Sequence, residues 1–150
     1  MTNISWKDHV FRSALLFDSG AFIALADGRD RHHEAATRFL RELPGSVRRI
    51  TTHAIAGETY TWLRYRRGPD AASGWLDYLD RARAGKTLTI IYGDQNDGDA
   101  AGAFLRRFGD QALSYVDALS LVLARRYGAG AFFAFDQHLA LTGLPVLPGP

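Results

Sequence analysis

The chain contains no cysteine, a single methionine and only two lysines, Lys7 and Lys86. The absence of cysteine excludes disulfides, thiolate catalysis and cysteine-ligated zinc. Hydrophobic runs are also short. None approaches the roughly 20 residues of a membrane span, and residues 1–8 lack the apolar stretch of a signal peptide. These absences lead us to expect a cytoplasmic protein.

The hydrophobic residues that are present, 47% of 150, are enough for one core. This length predicts a single domain over residues 1–150, with residues 1–12 as a loose leader. The formal net charge is only +2, and nearly all of the positive charge comes from arginine. Arginine pairs at 48–49, 66–67, 106–107 and 125–126 are suited to binding phosphate only if they surround a site; otherwise they are solvated surface charge.

Segments typical of strands and helices alternate along the chain. Strands are predicted at 14–17, 50–52, 87–91, 131–135 and 144–147. Helices are predicted at 19–26, 33–43, 53–66, 71–84, 99–108, 114–127 and 137–141. This order predicts an α/β fold with a mostly parallel central sheet flanked by helices, and ligands then bind outside the carboxyl ends of the strands.

Four carboxylates stand in unusually apolar surroundings, at Asp18, Glu58, Asp117 and Asp136. An isolated buried carboxylate is costly, so such groups are usually paired, protonated or bound to a metal. Because the four are spread over the whole chain, we expect them to share one acidic pocket. A hard divalent cation is the natural occupant of such a pocket.

Glu58 is the most informative of the four in helical geometry. It lies three residues after Ile55 and four before Trp62, so all three side chains share one helix face. If that face is turned to the core, Glu58 points inward. The alternative is a glutamate at the edge of the apolar stripe whose carboxylate reaches water.

Asp117 lies in a helix that is apolar on most sides, with Ser114 on the same face. If the helix begins at Ser114, Asp117 stands in its first turn, where an aspartate is also explained by capping. The same alternative applies to Asp18 and Asp136, because aspartates at strand ends often cap the next helix. Capping by Asp117 does not explain the other three carboxylates.

Two other groups of polar residues carry weaker signals. The segment 93–99 contains three aspartates but lacks the final glutamate of an EF-hand, since position 105 is leucine, so we interpret it as a solvated loop and helix start. The histidines at 32, 33, 53 and 138 have no zinc-site spacing. His138 is close enough to Asp136 in sequence to contact the predicted pocket.

The acidic segments in this order resemble those of PIN-domain ribonucleases, especially the VapC-like toxins of bacterial toxin–antitoxin pairs. The resemblance extends from about Leu15 to Pro148. The matching segments are Leu16–Leu25, Thr51–Thr59, Leu113–Ser120 and Phe133–Leu139. Two residues depart from the family pattern: Leu139 replaces a frequent aromatic residue, and Gly57 is a poor helix former. Neither departure removes an oxygen ligand.

The resemblance implies a PIN-like three-layer sandwich and a metal-dependent endoribonuclease. It implies that Mg²⁺ or Mn²⁺ is held by Asp18 and Asp117 directly, while Glu58 and Asp136 bind a second ion or hold water on the metal. Ser114 would orient a ligand or a water. Metal ions can activate water and neutralise charge during phosphodiester hydrolysis.

The family also implies partners. RNA must approach an acidic pocket, so a cationic rim is required, and Arg64, Arg66 and Arg67 are the candidates. We further expect a homodimer that is inhibited by a small antitoxin. Exposed aromatic and arginine side chains often mark interfaces, and the helix with Tyr60, Trp62, Tyr65 and Arg66 is rich in both.

Other functions are distinguishable by sequence. A haloacid-dehalogenase-like phosphatase needs Asp-x-Asp after its first strand, whereas this chain has Asp18-Ser19-Gly20. A non-catalytic PIN-like module that binds RNA or protein would be favoured by loss of an acidic position, but all four are present. A general RNA-processing nuclease remains an alternative to a toxin. A DNA-acting nuclease of related fold usually has longer insertions than this compact chain.

Overall fold

The computed structural model describes residues 14–150, so the predicted leader at 1–12 lies outside the described residues. A five-stranded sheet forms the centre of the molecule, and helices flank it. The strands are β1 Ala14–Phe17, β2 Arg49–Thr52, β3 Thr89–Ile91, β4 Ala129–Ala134 and β5 Val146–Pro148. The helices are α1 Ser19–Ala26, α2 His33–Glu42, α3 His53–Arg67, α4 Pro69–Ala84, α5 Gln95–Arg107 and α6 Tyr115–Arg126, with a 3₁₀ helix at Gln137–Thr142.

The sheet is entirely parallel, in the order β3-β2-β1-β4-β5. Strand β1 is central, and all four of its residues are buried, as expected for a parallel strand covered on both faces. Phe17 of β1 packs edge-on against Phe133 of β4, with ring centroids 4.9 Å apart. The predicted α/β fold with a parallel sheet is confirmed.

Two threonine hydroxyls set the position of helix α3. The Thr52 hydroxyl accepts from the Ile55 N–H at 3.0 Å, so α3 begins directly after β2. The Thr51 hydroxyl donates to the Phe17 carbonyl at 2.9 Å and ties the ends of β2 and β1 together. These bonds place the start of α3 beside the carboxyl end of the central strand.

The segment 93–99, interpreted as a solvated loop and helix start, does contain a helix start and is mostly exposed, but the helix begins earlier than predicted and Asp97 is buried. Helix α5 begins at Gln95, four residues before the predicted start, because Asp94 and Asp97 form a capping box. Asp97 is only 4% exposed, and its carboxylate contacts the guanidinium of Arg126. The pair links the start of α5 to the end of α6.

Smaller differences concern the ends of elements. Pro69 stands in the first turn of α4, where its missing N–H costs nothing, so this proline begins a helix rather than only separating two. Strand β4 starts two residues before its predicted position. Among residues 14–150 we find no helix with the length and hydrophobicity needed to traverse a bilayer.

Candidate functional site

An acidic cleft of about 530 Å³ opens at the carboxyl ends of β1 and β4. Its position agrees with the rule that open parallel sheets bind ligands at this edge. All four predicted carboxylates and Ser114 line it, although they come from distant parts of the chain. The lining residues are Asp18, Ser19, Gly20, Asp30, Arg31, His32, Glu58, Ser114, Asp117, Phe135 and Asp136.

Asp18 lies at the base of the cleft, directly after β1, and is 6% exposed. It occupies the N-cap position of α1 but makes no side-chain hydrogen bond to that helix, so the capping interpretation is wrong for this residue. Its Oδ1 is fully buried and has no hydrogen-bond partner within residues 14–150. Buried polar atoms are nearly always bonded, so this unpartnered oxygen requires an explanation.

The electrostatics of Asp18 show which groups face it. Burial is the main cause that raises its pKa from 3.8 to about 7, and the charge of Asp117 is the next. The Ser19 N–H acts in the opposite direction, while Glu58 and Asp136 raise the pKa further. The charges of the other three carboxylates therefore all raise the pKa of Asp18, which supports a shared pocket.

Glu58 enters the cleft from α3 and is partly buried. Ile55, one turn earlier, is fully buried, and Trp62, one turn later, packs partly against the core. The predicted common face is therefore present, and Glu58 stands at its border with the cleft. Glu58 is therefore neither turned fully into the core nor fully in water, which were the two alternatives that the helical spacing left open.

Asp117 and Ser114 enter the cleft together at the start of α6. The Ser114 hydroxyl accepts from the Asp117 N–H, and the Asp117 carboxylate accepts from the Ser114 N–H, both at 3.0 Å. The capping interpretation of Asp117 thus holds in the structure. It does not compete with a role in the cleft, because capping fixes the side chain at the cleft and engages only one carboxylate oxygen.

Asp136 differs from the other three because its side chain is 52% exposed. Its expected apolar surroundings are wrong: the run 131–135 is buried, but the chain turns outward directly after it. The carboxylate caps the 3₁₀ helix by accepting from the His138 N–H at 2.9 Å. The imidazole of His138 also lies 2.9 Å from Asp136, so the predicted proximity of this histidine is present.

The residues of the cleft fit a hard divalent cation. The donors are carboxylate oxygens, and the unpartnered Oδ1 of Asp18 is the atom that a cation would satisfy. Within the described part of the chain, however, no three Asp, Glu, His or Cys side chains form a group that could hold an ion by themselves. Asp117 and Asp136 are each bonded to a backbone N–H at a helix start. Such an arrangement suits Mg²⁺, which usually keeps several waters.

The predicted cationic rim is located elsewhere. Arg64, Arg66 and Arg67 are on α3, and none of them lines the cleft. Arg67 is bound to Asp27, with its Nη2 2.6 Å from the carboxylate, while Arg64 and Arg66 are exposed. RNA contact by these residues stays a prediction. The paired arginines also fail to surround the cleft: Arg126 contacts Asp97, for example, and so has a structural partner.

Sequence reasoning missed three charged or imidazole side chains of the cleft, Asp30, Arg31 and His32. They belong to the turn between α1 and α2, which was interpreted only as a connection. The available signal was the dense run of charged and imidazole side chains at 29–34, directly after the helix that follows β1. Loops at this edge of a parallel sheet commonly carry binding residues.

A second depression, of about 550 Å³, is apolar and lies on another part of the surface. We call it the apolar groove. Helices α1, α3 and α4 supply most of its walls, and Asp27 and Arg67 stand in it as an ion pair. Its apolar lining residues are Phe22, Leu25, Ala26, Leu40, Leu63, Ala71, Trp75 and Tyr78.

Comparison with known proteins is consistent with this geometry. The 23S rRNA-specific endonuclease VapC20 of Mycobacterium tuberculosis is 28% identical over 132 residues, which cover 86% of this chain and 94% of that protein. The crystal structure of VapC20, described as a sarcin–ricin loop cleaving toxin, matches with a TM-score of 0.78 and 25% identity over 87% of this chain and 96% of that one.

A chain from a toxin–antitoxin complex of Klebsiella pneumoniae shares the fold, with a TM-score of 0.58 and 17% identity over 85% of this chain and 90% of that one. The PIN domain family model matches residues 15–143, which include all four cleft carboxylates. The resemblance predicted from the acidic segments is thus confirmed. The chain belongs to the PIN-domain family.

Proposed function

We propose that this protein is a metal-dependent endoribonuclease that hydrolyses RNA phosphodiester bonds and serves as the toxin of a toxin–antitoxin pair. Its family and its similarity to an rRNA endonuclease support the reaction class. The observation on which the proposal rests most is Asp18, a buried carboxylate that pairs with no cation of residues 14–150 and is faced by three further carboxylates in one open cleft. Action on cellular RNA would place the protein in the cytoplasm.

Divalent metal is general to this family, and we propose Mg²⁺ or Mn²⁺ here. Asp18 and Asp117 would bind the ion directly, while Glu58 and Asp136 would hold a second ion or water of its shell. The bound ion would supply an activated water, charge neutralisation on the phosphate and stabilisation of the leaving oxygen.

The chain's own groups prepare the site for that chemistry. Burial raises the pKa of Asp18 to about 7, so a cation bound there would replace its proton within the neutral range. The capping box holds Asp117 at the cleft, and the Ser114 hydroxyl accepts a bond from the backbone, which leaves its own proton free to donate to a water or a phosphate oxygen. These contacts fix the ligands before RNA arrives and lower the cost of ordering them.

We also propose a small protein antitoxin as partner. Pairing of related toxins with antitoxins supports this, and the apolar groove offers this chain a surface for an apolar protein segment. Homodimerisation remains part of the proposal. Tyr65 on α3 is 82% exposed, which is unusual for an aromatic side chain, whereas Tyr60 and Trp62 pack partly against the core.

The reaction can be tested with purified protein and a hairpin RNA of the sarcin–ricin loop, the substrate named for the similar toxin. We expect cleavage with Mg²⁺ or Mn²⁺, no cleavage in excess EDTA, and a loss of roughly 100-fold or more for Asp117→Asn. This variant should unfold at the same or a higher temperature, because one negative charge leaves a crowded site.

Asp77→Asn is a matched control, because it removes the same charge from an exposed position on α4. Cleavage by Asp117→Asn at the wild-type rate, or undiminished activity in EDTA, would contradict the mechanism. Toxicity on expression that is relieved by co-expression of a small protein from an adjacent gene would separate a toxin from a general RNA-processing nuclease. The dimer can be tested by light scattering, where a monomer at micromolar concentration would contradict it.

A further inference from the structure

One cation lines the acidic cleft among residues 14–150, and it is not bound to any of the carboxylates there. Arg31 is exposed at the rim, in the turn before α2. No carboxylate of the described chain lies within ion-pairing distance of its guanidinium, whereas Arg29 and Arg67 nearby are both paired with Asp27. An arginine beside four carboxylates would normally pair with one of them. The lack of such an ion pair at Arg31 within residues 14–150 leaves its charge available to a ligand.

Arg31 is held in place by a histidine instead. Its Nε donates to Nε2 of His32 at 3.0 Å. Because that ring nitrogen accepts, the proton of the neutral imidazole belongs on Nδ1. Arginine has five N–H donors, and the four on its two Nη atoms make no hydrogen bond within the described part of the chain. Those four form the planar fork that binds phosphate end-on.

His32 is itself fixed from two sides. Its ring lies flat on the ring of Phe135, with centroids 4.1 Å apart and planes inclined by 6°. Its backbone N–H donates to Oδ1 of Asp30 at 2.8 Å. Phe135 is nearly buried and immediately precedes Asp136, so the stack is anchored in the sheet beside the acidic site. A chain of contacts therefore connects the core to the free fork of Arg31.

We propose that Arg31 binds a backbone phosphate of the RNA next to the scissile one, and that His32 is the positioning residue that holds it there; the inference rests on the proposed function. The neighbouring phosphate is favoured over the scissile one because Arg31 lies at the rim, while Asp18 lies at the buried base of the cleft. The contact serves substrate binding, so it acts equally on the ground state and the transition state.

The first test compares Arg31→Met with Arg38→Met, which removes the same charge from an exposed position on α2 outside the cleft. With the sarcin–ricin hairpin as substrate, Arg31→Met should raise KM roughly tenfold and leave kcat near wild type, because one charge-assisted phosphate contact is lost. Arg31→Lys should raise KM less than Arg31→Met does, since lysine keeps the charge but lacks the planar fork of the guanidinium.

The second test measures binding without cleavage. In an Asp117→Asn background, the affinity for the same RNA is followed as salt is increased. Loss of one phosphate contact should reduce the slope of log K against log salt by about 0.7 to 0.9. Arg38→Met should leave the slope unchanged.

The third test addresses His32. His32→Phe keeps a ring on Phe135 but removes the acceptor for Arg31, so KM should rise by a smaller factor than in Arg31→Met. In the Arg31→Met background the same change should add nothing, because its effect passes through Arg31. An equal effect in both backgrounds would show a merely structural role and overturn the assignment of His32.

The outcomes separate this inference from the proposed function. If the wild-type protein neither binds nor cleaves the RNA with either metal, both are overturned. If wild-type cleaves and Arg31→Met matches Arg38→Met in KM and salt slope, this inference alone is overturned. A fall in kcat at unchanged KM, with normal thermal unfolding, would overturn the placement of Arg31 on a neighbouring phosphate.

Discussion

The two ends of helix α1 each carry a buried aspartate, and their environments are opposite. Asp18 precedes the helix, Asp27 follows it, and each is 6% exposed. The helix dipole alone would favour the charge of Asp18 and disfavour that of Asp27. The pKa values shift the other way: that of Asp18 is raised to about 7, and that of Asp27 is lowered, chiefly by its hydrogen bond from Arg67.

The difference lies in the partner. Asp27 has an internal cation, the guanidinium of Arg67, whereas Asp18 faces three carboxylates and has an oxygen that no group of residues 14–150 hydrogen-bonds. Asp97 repeats the first arrangement with Arg126. Where a buried carboxylate serves the fold, this chain supplies an arginine. Among residues 14–150 it supplies none to Asp18, so the charge there is available to the cation that we propose.

The largest expected effect separates the two aspartates by function. Asp18→Asn should reduce RNA cleavage roughly 100-fold or more, because the buried ligand charge is lost. Asp27→Asn should keep cleavage close to wild type, since Asp27 lies away from the cleft. Both are measured by initial rates on the sarcin–ricin hairpin at one temperature well below unfolding. Equal losses in the two variants would break the comparison.

The next effect concerns stability, pH and metal removal. A carboxyl group whose pKa is raised from 3.8 to about 7 stabilises the folded state fully below pH 3.8, and this contribution is lost as the pH rises through 7. In EDTA, wild-type protein should therefore lose on the order of 4 kcal/mol relative to Asp18→Asn between pH 4 and pH 8.

Urea denaturation of both proteins at stepwise pH measures this difference. Adding Mg²⁺ or Mn²⁺ at pH 8 should stabilise wild type and leave Asp18→Asn nearly unchanged, because binding to the folded state alone raises stability. A difference between the proteins that is independent of pH would contradict the raised pKa. Equal metal stabilisation of both would contradict Asp18 as a ligand.

A smaller loss of stability is expected for Asp27→Asn, because Arg67 then lacks its carboxylate. Arg67→Met in the same chain should restore part of the loss by removing the unpaired cation. Its side chain is 27% exposed, so water moderates the effect. Thermal unfolding of the two single variants and the double variant gives the coupling. Simple additivity would show that the pair is not energetically linked.

The smallest effect should come from Asp97→Asn. Arg126 is half exposed and also contacts Asp94, which would remain as its partner. The asparagine oxygen can still accept from the Asp94 N–H, so the cap of α5 is weakened rather than removed. The decrease in unfolding temperature should be less than that of Asp27→Asn. A larger decrease would rank this ion pair above the one at α1.

Much of the fold was predictable from local patterns. The strand 14–17 is uniformly apolar, as a buried parallel strand must be, and its bounds agree with the structure. The start of α5 was not predicted, because the reciprocal bonds of Asp94 and Asp97 look like solvated charge until a partner such as Arg126 is known. The burial of Asp97 depends on helix α6, and its partner Arg126 lies 29 residues later in the sequence.

In the candidate site, too, some features were predictable from local sequence and others depended on the tertiary structure. Asp18, Glu58, Ser114, Asp117 and Asp136 were chosen from their surroundings in sequence, and all five line one cleft. What the sequence could not give was the exposure of Asp136 or the presence of Arg31 and His32. Those depend on how the chain turns after β4 and before α2, and on the stacking of His32 on Phe135 across more than 100 residues of chain.

The sequence by itself determined the parallel α/β class and the acidic character of the site, because hydrophobic periodicity and residue type are local properties. Only the tertiary structure decided which carboxylates receive a cation. Asp27 and Arg67 are 40 residues apart in sequence and meet because α1 and α3 pack together. Within residues 14–150 Asp18 has no such neighbour, because the carboxyl edge of a parallel sheet gathers loops around an open cleft that solvent can enter.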